Sequence, residues 1–131
     1  MSRDGFTLVE LLIVVVVVGI LVGVAWPALQ RVTEEGHRRE AQDVLLSVYA
    51  GERSFFFQNN AYLTLSPFDG NWQKIGIDDP NASGVAPVTF KVVGGAATFT
   101  ATATRNGGPC NGDTKTIDQD RNVAGTWVVP C

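Results

Sequence analysis

The sequence has few of the residues that build metal sites and catalytic centres. Its 131 residues include one histidine, two cysteines and one methionine, which leaves little for a zinc site or a nucleophile–histidine pair. Charged residues are only 18% of the chain and the net charge is −3, whereas nucleic-acid binders usually carry a basic surplus. An apolar fraction of 45% argues against disorder. We therefore predict one globular domain at most, with no enzymatic activity, no metal and no cofactor.

The apolar residues are concentrated near the N-terminus. The nineteen residues from Leu11 to Leu29 carry no charge, and about 20 apolar residues span the hydrocarbon core of a bilayer as a helix. A removable secretory signal fits less well, because its apolar region is only about 7–15 residues long and ends at a small-residue site. Here Trp26 and Pro27 separate the two alanines of the expected site. The run predicts a transmembrane helix that stays in the mature protein.

The orientation of this helix follows from two opposing signals. Arg31, Arg38 and Arg39 after the run favour a cytoplasmic C-terminal flank. Cys110 and Cys131, a pair spaced for a disulfide, suit an oxidising compartment instead. We give the cysteines more weight, which predicts that the C-terminal part lies outside the cytoplasm.

Two features of the apolar helix suggest contacts with other helices. Glu10 is a functional candidate, because a carboxylate in a membrane helix is costly, and an interfacial glutamate that reaches the headgroups is the simpler alternative. Gly19, Gly23 and Pro27 share one helix face at a spacing of four, and small residues on such a face let another helix approach closely. Pro27 also lacks the N–H that would bond to the carbonyl of Gly23, which predicts a kink or a loosened helix there.

The string GFTLVE at residues 5–10, at the edge of the apolar run, resembles the processing site of type IV prepilins and of the related type II secretion pseudopilins. The resemblance implies that residues 1–5 are a leader, that a prepilin peptidase cuts after Gly5, and that it methylates the new N-terminal Phe6. It also matches Glu10 to the acidic position of the family. If the cut occurs, the new amine of Phe6 lies one helical turn from Glu10, and we expect this carboxylate to neutralise the amine of a neighbouring subunit in a helical filament. Such a pairing removes two buried charges at once. Asp4 departs from the basic residue that is usual in these leaders.

The remainder of the chain predicts an α+β head packed on a long helical spine. The spine is expected from Phe6 to about Gln58, as a transmembrane and polymerisation part over residues 6–29 and an amphipathic part over residues 30–60. Its apolar stripe is Ala41, Val44, Leu45, Val48, Tyr49, Phe55 and Phe56. A loop is expected over residues 61–87 and an antiparallel sheet with a C-terminal loop over residues 88–131. The expected strands are Val88–Val93, Thr98–Thr104, Thr114–Asp118 and Thr126–Val129.

The resemblance to type IV pilins continues in this half of the chain. Residues 52–62 look like the helix end of minor pilins of the PilE type, and residues 110–118 look like their late strand that begins with a cysteine. This implies the pilin fold with a C-terminal disulfide between Cys110 and Cys131. In the same family, the glycine and proline positions matched by Gly19, Gly23 and Pro27 mark a stretch that loses helical structure in the filament.

Three other features have an ordinary explanation as well as a functional one. Asp118, Asp120 and Asn122 match the start of a calcium loop, but the later positions fail and a hairpin turn is the better interpretation. A local basic patch would be formed by Lys91, Arg105, Lys115 and Arg121. Trp72 and Trp127 are expected in the core or in subunit packing.

The leading hypothesis is a structural subunit of a type IV pilus, of the minor PilE type, that serves pilus assembly, twitching motility, adhesion or DNA uptake. Its expected partners are other pilin subunits, the prepilin peptidase and methyltransferase, an inner-membrane assembly platform, and lipid before assembly. The expected location is the inner membrane first and the cell-surface pilus afterwards. The alternatives are a pseudopilin of a protein-export fibre and a tip adhesin or DNA-binding subunit, although the negative charge disfavours DNA.

Overall fold

The structure is a computed structural model that describes residues 4–83 and 87–131. Residues 1–3 of the expected leader and residues 84–86 of the expected loop lie outside the described part. The chain divides into two compact units, Met1–Thr33 and Glu34–Cys131. Its elements in chain order are α1 (Leu8–Asn59), a 3-10 helix (Asn71–Ile75), β1 (Val88–Gly94), β2 (Phe99–Arg105), β3 (Thr114–Asp118) and β4 (Val123–Ala124). One apolar N-terminal helix, a small antiparallel sheet and a C-terminal disulfide confirm the predicted fold class.

The first unit is the apolar part of α1. An 18-residue window of this helix has a mean hydropathy of 3.1, and none of the window is buried. The helix is therefore long and apolar enough to cross a membrane. Its valine and leucine side chains are exposed on all sides of the isolated chain.

The second unit buries its core between α1 and the sheet. The four strands are antiparallel in the order β1-β2-β3-β4. Burial alternates along β1 and β2, because successive side chains of a strand point to opposite faces. From the helix, Ala41, Leu45 and Val48 are buried, while the remaining members of the predicted stripe pack against the core as partly buried residues: Val44, Tyr49, Phe55 and Phe56. The amphipathic stripe of the second half of α1 is thus present as expected.

The first buried residue of α1 is Glu34, which forms an ion pair with the sheet. Glu34 is only 4% exposed, and its carboxylate accepts two hydrogen bonds from Arg105 of β2, at 3.0 Å from Nε and 2.6 Å from Nη2. Nη1 of Arg105 donates to the carbonyl oxygens of Pro87 and Asn106. The hydrogen bonds from Arg105 lower the pKa of Glu34. A buried pair with its polar atoms satisfied in this way fastens the helix to the end of β2.

The last buried residue of α1 is a second glutamate, Glu52, which forms no ion pair with another described residue. The side chain of Glu52 is fully buried, and its Oε2 accepts a hydrogen bond from the backbone N–H of Leu63 at 2.8 Å. Oε1 has no hydrogen-bond partner among the described residues. Burial raises the pKa of Glu52 to about 7, and the hydrogen bond from Leu63 opposes this rise. Neighbouring Gly51 has no room for a Cβ, because the carbonyl oxygen of Ile75 lies against it.

The C-terminal segment differs from the prediction. The fourth strand is Val123–Ala124 and not Thr126–Val129, so that prediction was wrong. The chain leaves the sheet at Gly125, whose φ of 123° is not open to a residue with a side chain. Trp127 is then fully buried and donates its backbone N–H to Thr114 at 3.0 Å. The segment Thr126–Val129 therefore contributes a buried tryptophan to the core and not a strand to the sheet.

The expected loop between helix and sheet also contains regular structure. Leu65 forms an isolated antiparallel bridge with Val92 of β1. The 3-10 helix Asn71–Ile75 contributes Trp72, which is fully buried and donates Nε1–H to the carbonyl of Ser66 at 2.9 Å. The described part of this loop is therefore a packed layer of the head.

The predicted disulfide is present between Cys110 and Cys131. The Cα atoms lie 5.3 Å apart, and the sequence separation is 21 residues. Cys110 is buried in the core and Cys131 is exposed. The bridge ties the last residue of the chain to the loop between β2 and β3.

Candidate functional site

The residues of the expected cleavage junction lie outside the helix. Gly5 and Phe6 are exposed, and Phe6 exposes 86% of its surface. Residues 4–7 lie outside the helix, and α1 begins at Leu8. A bond in exposed, non-helical backbone can be reached by a peptidase without first unwinding a helix.

Thr7 sets the start of the helix. Its Oγ1 accepts a hydrogen bond from the backbone N–H of Glu10 at 3.2 Å, and its carbonyl accepts from the N–H of Leu11 at 3.2 Å. This is the geometry of an N-cap, which satisfies a donor that the first turn leaves free. The expectation that the helix starts at Phe6 was therefore wrong by two residues. The signal was in the sequence, because Thr7 and Glu10 have the spacing of a capping box.

Glu10 lies in the first turn of α1 and is exposed. A negative charge in the first turn is favourable, since the helix dipole places partial positive charge there. Phe6 lies before the cap, so its backbone nitrogen is not fixed by the helix.

The small-residue face is open. No atom other than the helix's own backbone lies within 4 Å of a Cβ built on Gly19 or Gly23. The helix continues through Pro27 in this structure. Nothing in the isolated chain therefore requires glycine at the two positions, which is what a face reserved for another helix would show. The loss of helical structure in a filament stays a prediction.

The other candidate sites have structural roles. Asp118 accepts the backbone N–H groups of Asp120 and Asn122 through Oδ1 at 2.9 Å each, which is an Asx-type turn between β3 and β4. These bonds, led by the one from Asn122, lower the pKa of Asp118. Trp72 and Trp127 are core residues with no exposed surface.

The four expected basic residues do not share a face. Arg105 is buried against Glu34. Lys91 pairs in register with Thr102, while Lys115 pairs with Ala103. Adjacent positions of a strand point to opposite faces, so the two lysines lie on opposite sides of the sheet. The basic patch proposed from the sequence is not formed by these residues.

Comparison with known proteins identifies the N-terminal segment. The family model described as the prokaryotic N-terminal methylation motif matches residues 1–26. The chain is similar to the type IV major pilin protein PilA of Myxococcus xanthus (strain DK1622), with 38% identity over 58 residues. The amino-terminal segment carries the methylation motif, and the chain is similar to a type IV pilin. The match covers 44% of this chain and 26% of the relative, so the chain spans about a quarter of the length of that pilin. No solved structure matches the chain.

The recognition of the type IV pilin family from residues 5–10 is thus confirmed. Type IV pilins are a family of structural subunits. The prepilin motif and the apolar helix fit a precursor that is anchored in the inner membrane.

Proposed function

We propose that the chain is a subunit of a type IV pilus that polymerises through the apolar part of α1. The observation that carries the proposal is the combination of a methylation motif over residues 1–26 with an exposed junction at Gly5–Phe6 and a helix capped by Thr7. A prepilin peptidase would remove residues 1–5 and methylate Phe6. The head would lie outside the cytoplasm, where the Cys110–Cys131 disulfide is stable.

In the filament, the carboxylate of Glu10 pairs with the N-terminal amine of Phe6 in an adjacent subunit. Unpaired charge between apolar helices is costly, and pairing removes both charges at once. Before assembly the helix end stays near the headgroups, so Glu10 is solvated there. The penalty and its compensation therefore arise only during polymerisation, when the assembly platform moves the subunit from lipid into the fibre.

The test compares purified filaments from cells that express Glu10→Ala, Glu10→Asp or wild type. Glu10→Ala should insert and be processed, but its amount in filaments should fall at least about tenfold, the equivalent of about 1.4 kcal/mol in an equilibrium. Glu10→Asp should be intermediate, because it keeps the charge on a shorter side chain. Glu40→Ala, at an exposed position of the same helix, is the matched control. Equal incorporation of wild type and Glu10→Ala would refute the pairing.

We further propose the minor PilE-like type, on the resemblance of residues 52–62 and 110–118. Counting this chain against the most abundant pilin in sheared filaments by mass spectrometry tests the subtype. A pseudopilin of a secretion fibre is the alternative. In that case the chain would be absent from surface pili, and its loss would reduce protein export.

A further inference from the structure

The aromatic residues of the first unit stand only at its two ends. Phe6 precedes the helix and Trp26 lies near the end of the uncharged run, while residues 7–25 contain no aromatic residue. Of the three tryptophans in the chain, Trp72 and Trp127 are fully buried in the head, whereas Trp26 exposes 63% of its surface. The exposed one therefore belongs to the apolar helix.

A tryptophan at this place suits the boundary between lipid and water. Its ring is apolar, but its Nε1–H needs an acceptor that the hydrocarbon core does not offer. For this reason tryptophan is enriched at the level of the headgroups. In the head, Nε1–H of the buried Trp72 donates to the carbonyl of Ser66. Trp26 is exposed, and a headgroup acceptor would receive its Nε1–H.

The length of the helix agrees with a boundary at Trp26. From Leu8, where Thr7 caps the helix, to Trp26 the rise is about 27 Å at 1.5 Å per residue. The hydrocarbon core is about 30 Å thick. From Leu8 to Arg31, the first charge after the run, the rise is about 35 Å, which is longer than the core.

We propose that Trp26 is an anchor in the outer headgroup region, so that the membrane-embedded segment is Leu8–Trp26 and not the uncharged run Leu11–Leu29. This inference rests on the proposed membrane-bound precursor. It places Glu10 about 24 Å from the anchor, just inside the inner boundary, where its side chain can reach the inner headgroups. It also leaves Pro27 and Leu29 on the aqueous side of the boundary.

The test uses the full chain in phosphatidylcholine vesicles whose acyl chains carry bromine either near the headgroup or near the chain end. Bromine quenches tryptophan fluorescence at short range. The variant Trp26→Leu gives the emission of Trp72 and Trp127, and subtraction leaves the emission of Trp26. Quenching of Trp26 by the shallow bromine should exceed quenching by the deep bromine about twofold.

Two variants in the Trp26→Leu background calibrate the depth. Val18→Trp is eight residues closer to the N-terminus, about 12 Å along the helix, and should be quenched more by the deep bromine. Leu29→Trp should be quenched weakly by both. The anchor would be overturned if Trp26 were quenched more by the deep bromine and the tryptophan of Leu29→Trp more by the shallow bromine. That result would leave the spanning helix intact. A chain that neither floats with the vesicles nor shows quenching would overturn the membrane-bound precursor and the anchor together.

Discussion

Replacing Glu52 by glutamine should change how the stability of the head depends on pH. Glu52 is fully buried, and only one of its carboxylate oxygens has a partner, the N–H of Leu63. Burial raises its pKa from 4.5 to about 7. The folded state therefore binds a proton more tightly than the unfolded state does. The stability from this group is fully present below the unfolded pKa and is lost as the pH rises through about 7.

The magnitude follows from the shift. One pKa unit corresponds to about 1.4 kcal/mol, so the full shift would be worth about 3 kcal/mol. The charged form can recover part of this if water reaches the carboxylate, which leaves about 2 kcal/mol as the expected loss between pH 5 and pH 9. Glutamine has nearly the same shape and no charge, so the variant should not show this loss.

The assay is urea unfolding of residues 30–131, a fragment that contains the whole compact unit Glu34–Cys131, followed by the fluorescence of Trp72 and Trp127. The free energy of unfolding is measured from pH 5 to pH 9. This window avoids the acid range, in which Asp69 and Asp118 with their lowered pKa values lose stabilising interactions. The wild type should lose stability relative to Glu52→Gln as the pH rises. Glu40→Gln, at an exposed position, should follow the wild type. Parallel curves for the wild type and Glu52→Gln would refute the reasoning.

Three further predictions concern the Glu34–Arg105 ion pair, the disulfide and the processed N-terminus. Arg105→Met should destabilise the head by about 3 kcal/mol, because it leaves Glu34 buried without a partner. The double variant Arg105→Met with Glu34→Leu should lose less free energy of unfolding in urea than Arg105→Met alone, and additive losses of the two substitutions would contradict the pairing. Replacing both Cys110 and Cys131 by serine should cost about 3 kcal/mol in the chain-entropy model, seen as a lower melting temperature, whereas thiols that label readily in the native protein would argue against the bridge. Intact-mass measurement of the membrane-extracted protein should show loss of residues 1–5 and a methyl group on Phe6, and any other mature N-terminus would remove the main support for the pilin function.

The sequence pattern predicted those features that depend on repeated spacing. Each of these features has a clear period or length in the sequence that matches its surroundings in the fold or the membrane. They are the uncharged run, the amphipathic stripe around Leu45 and the strand Thr114–Asp118. The processing motif was recognised because six consecutive residues carry it. The cysteine pair was recognised because its family context gives the pairing.

The residues that were missed act through a single distant contact. Nothing in the local sequence distinguishes Glu34 and Glu52 from exposed glutamates. Only the fold shows that they lie on the buried face of α1. For the same reason, the sequence predicts Arg105 as part of a basic surface patch, whereas it is buried. Its partner lies 71 residues away in the sequence, and no local pattern reports such a distance. The end of the sheet at Gly125 was missed because Thr126 to Val129 has the composition of a strand.

The exposure of the first unit explains why the proposed pilus subunit would need two kinds of surroundings, lipid before assembly and other helices in the filament. The second unit covers its apolar stripe with its own sheet, whereas Leu8 to Leu29 leaves large apolar side chains exposed. Exposing such a large apolar surface to water is unfavourable, so lipid or other helices must cover it. Lipid tails are as apolar as leucine, so the hydrophobic effect alone does not favour helix contacts over lipid. In the proposed pilus, the preference of the subunit for the filament over lipid must therefore come from features that lipid cannot satisfy. Under that proposal, these features are the open face at Gly19 and Gly23 and the carboxylate of Glu10.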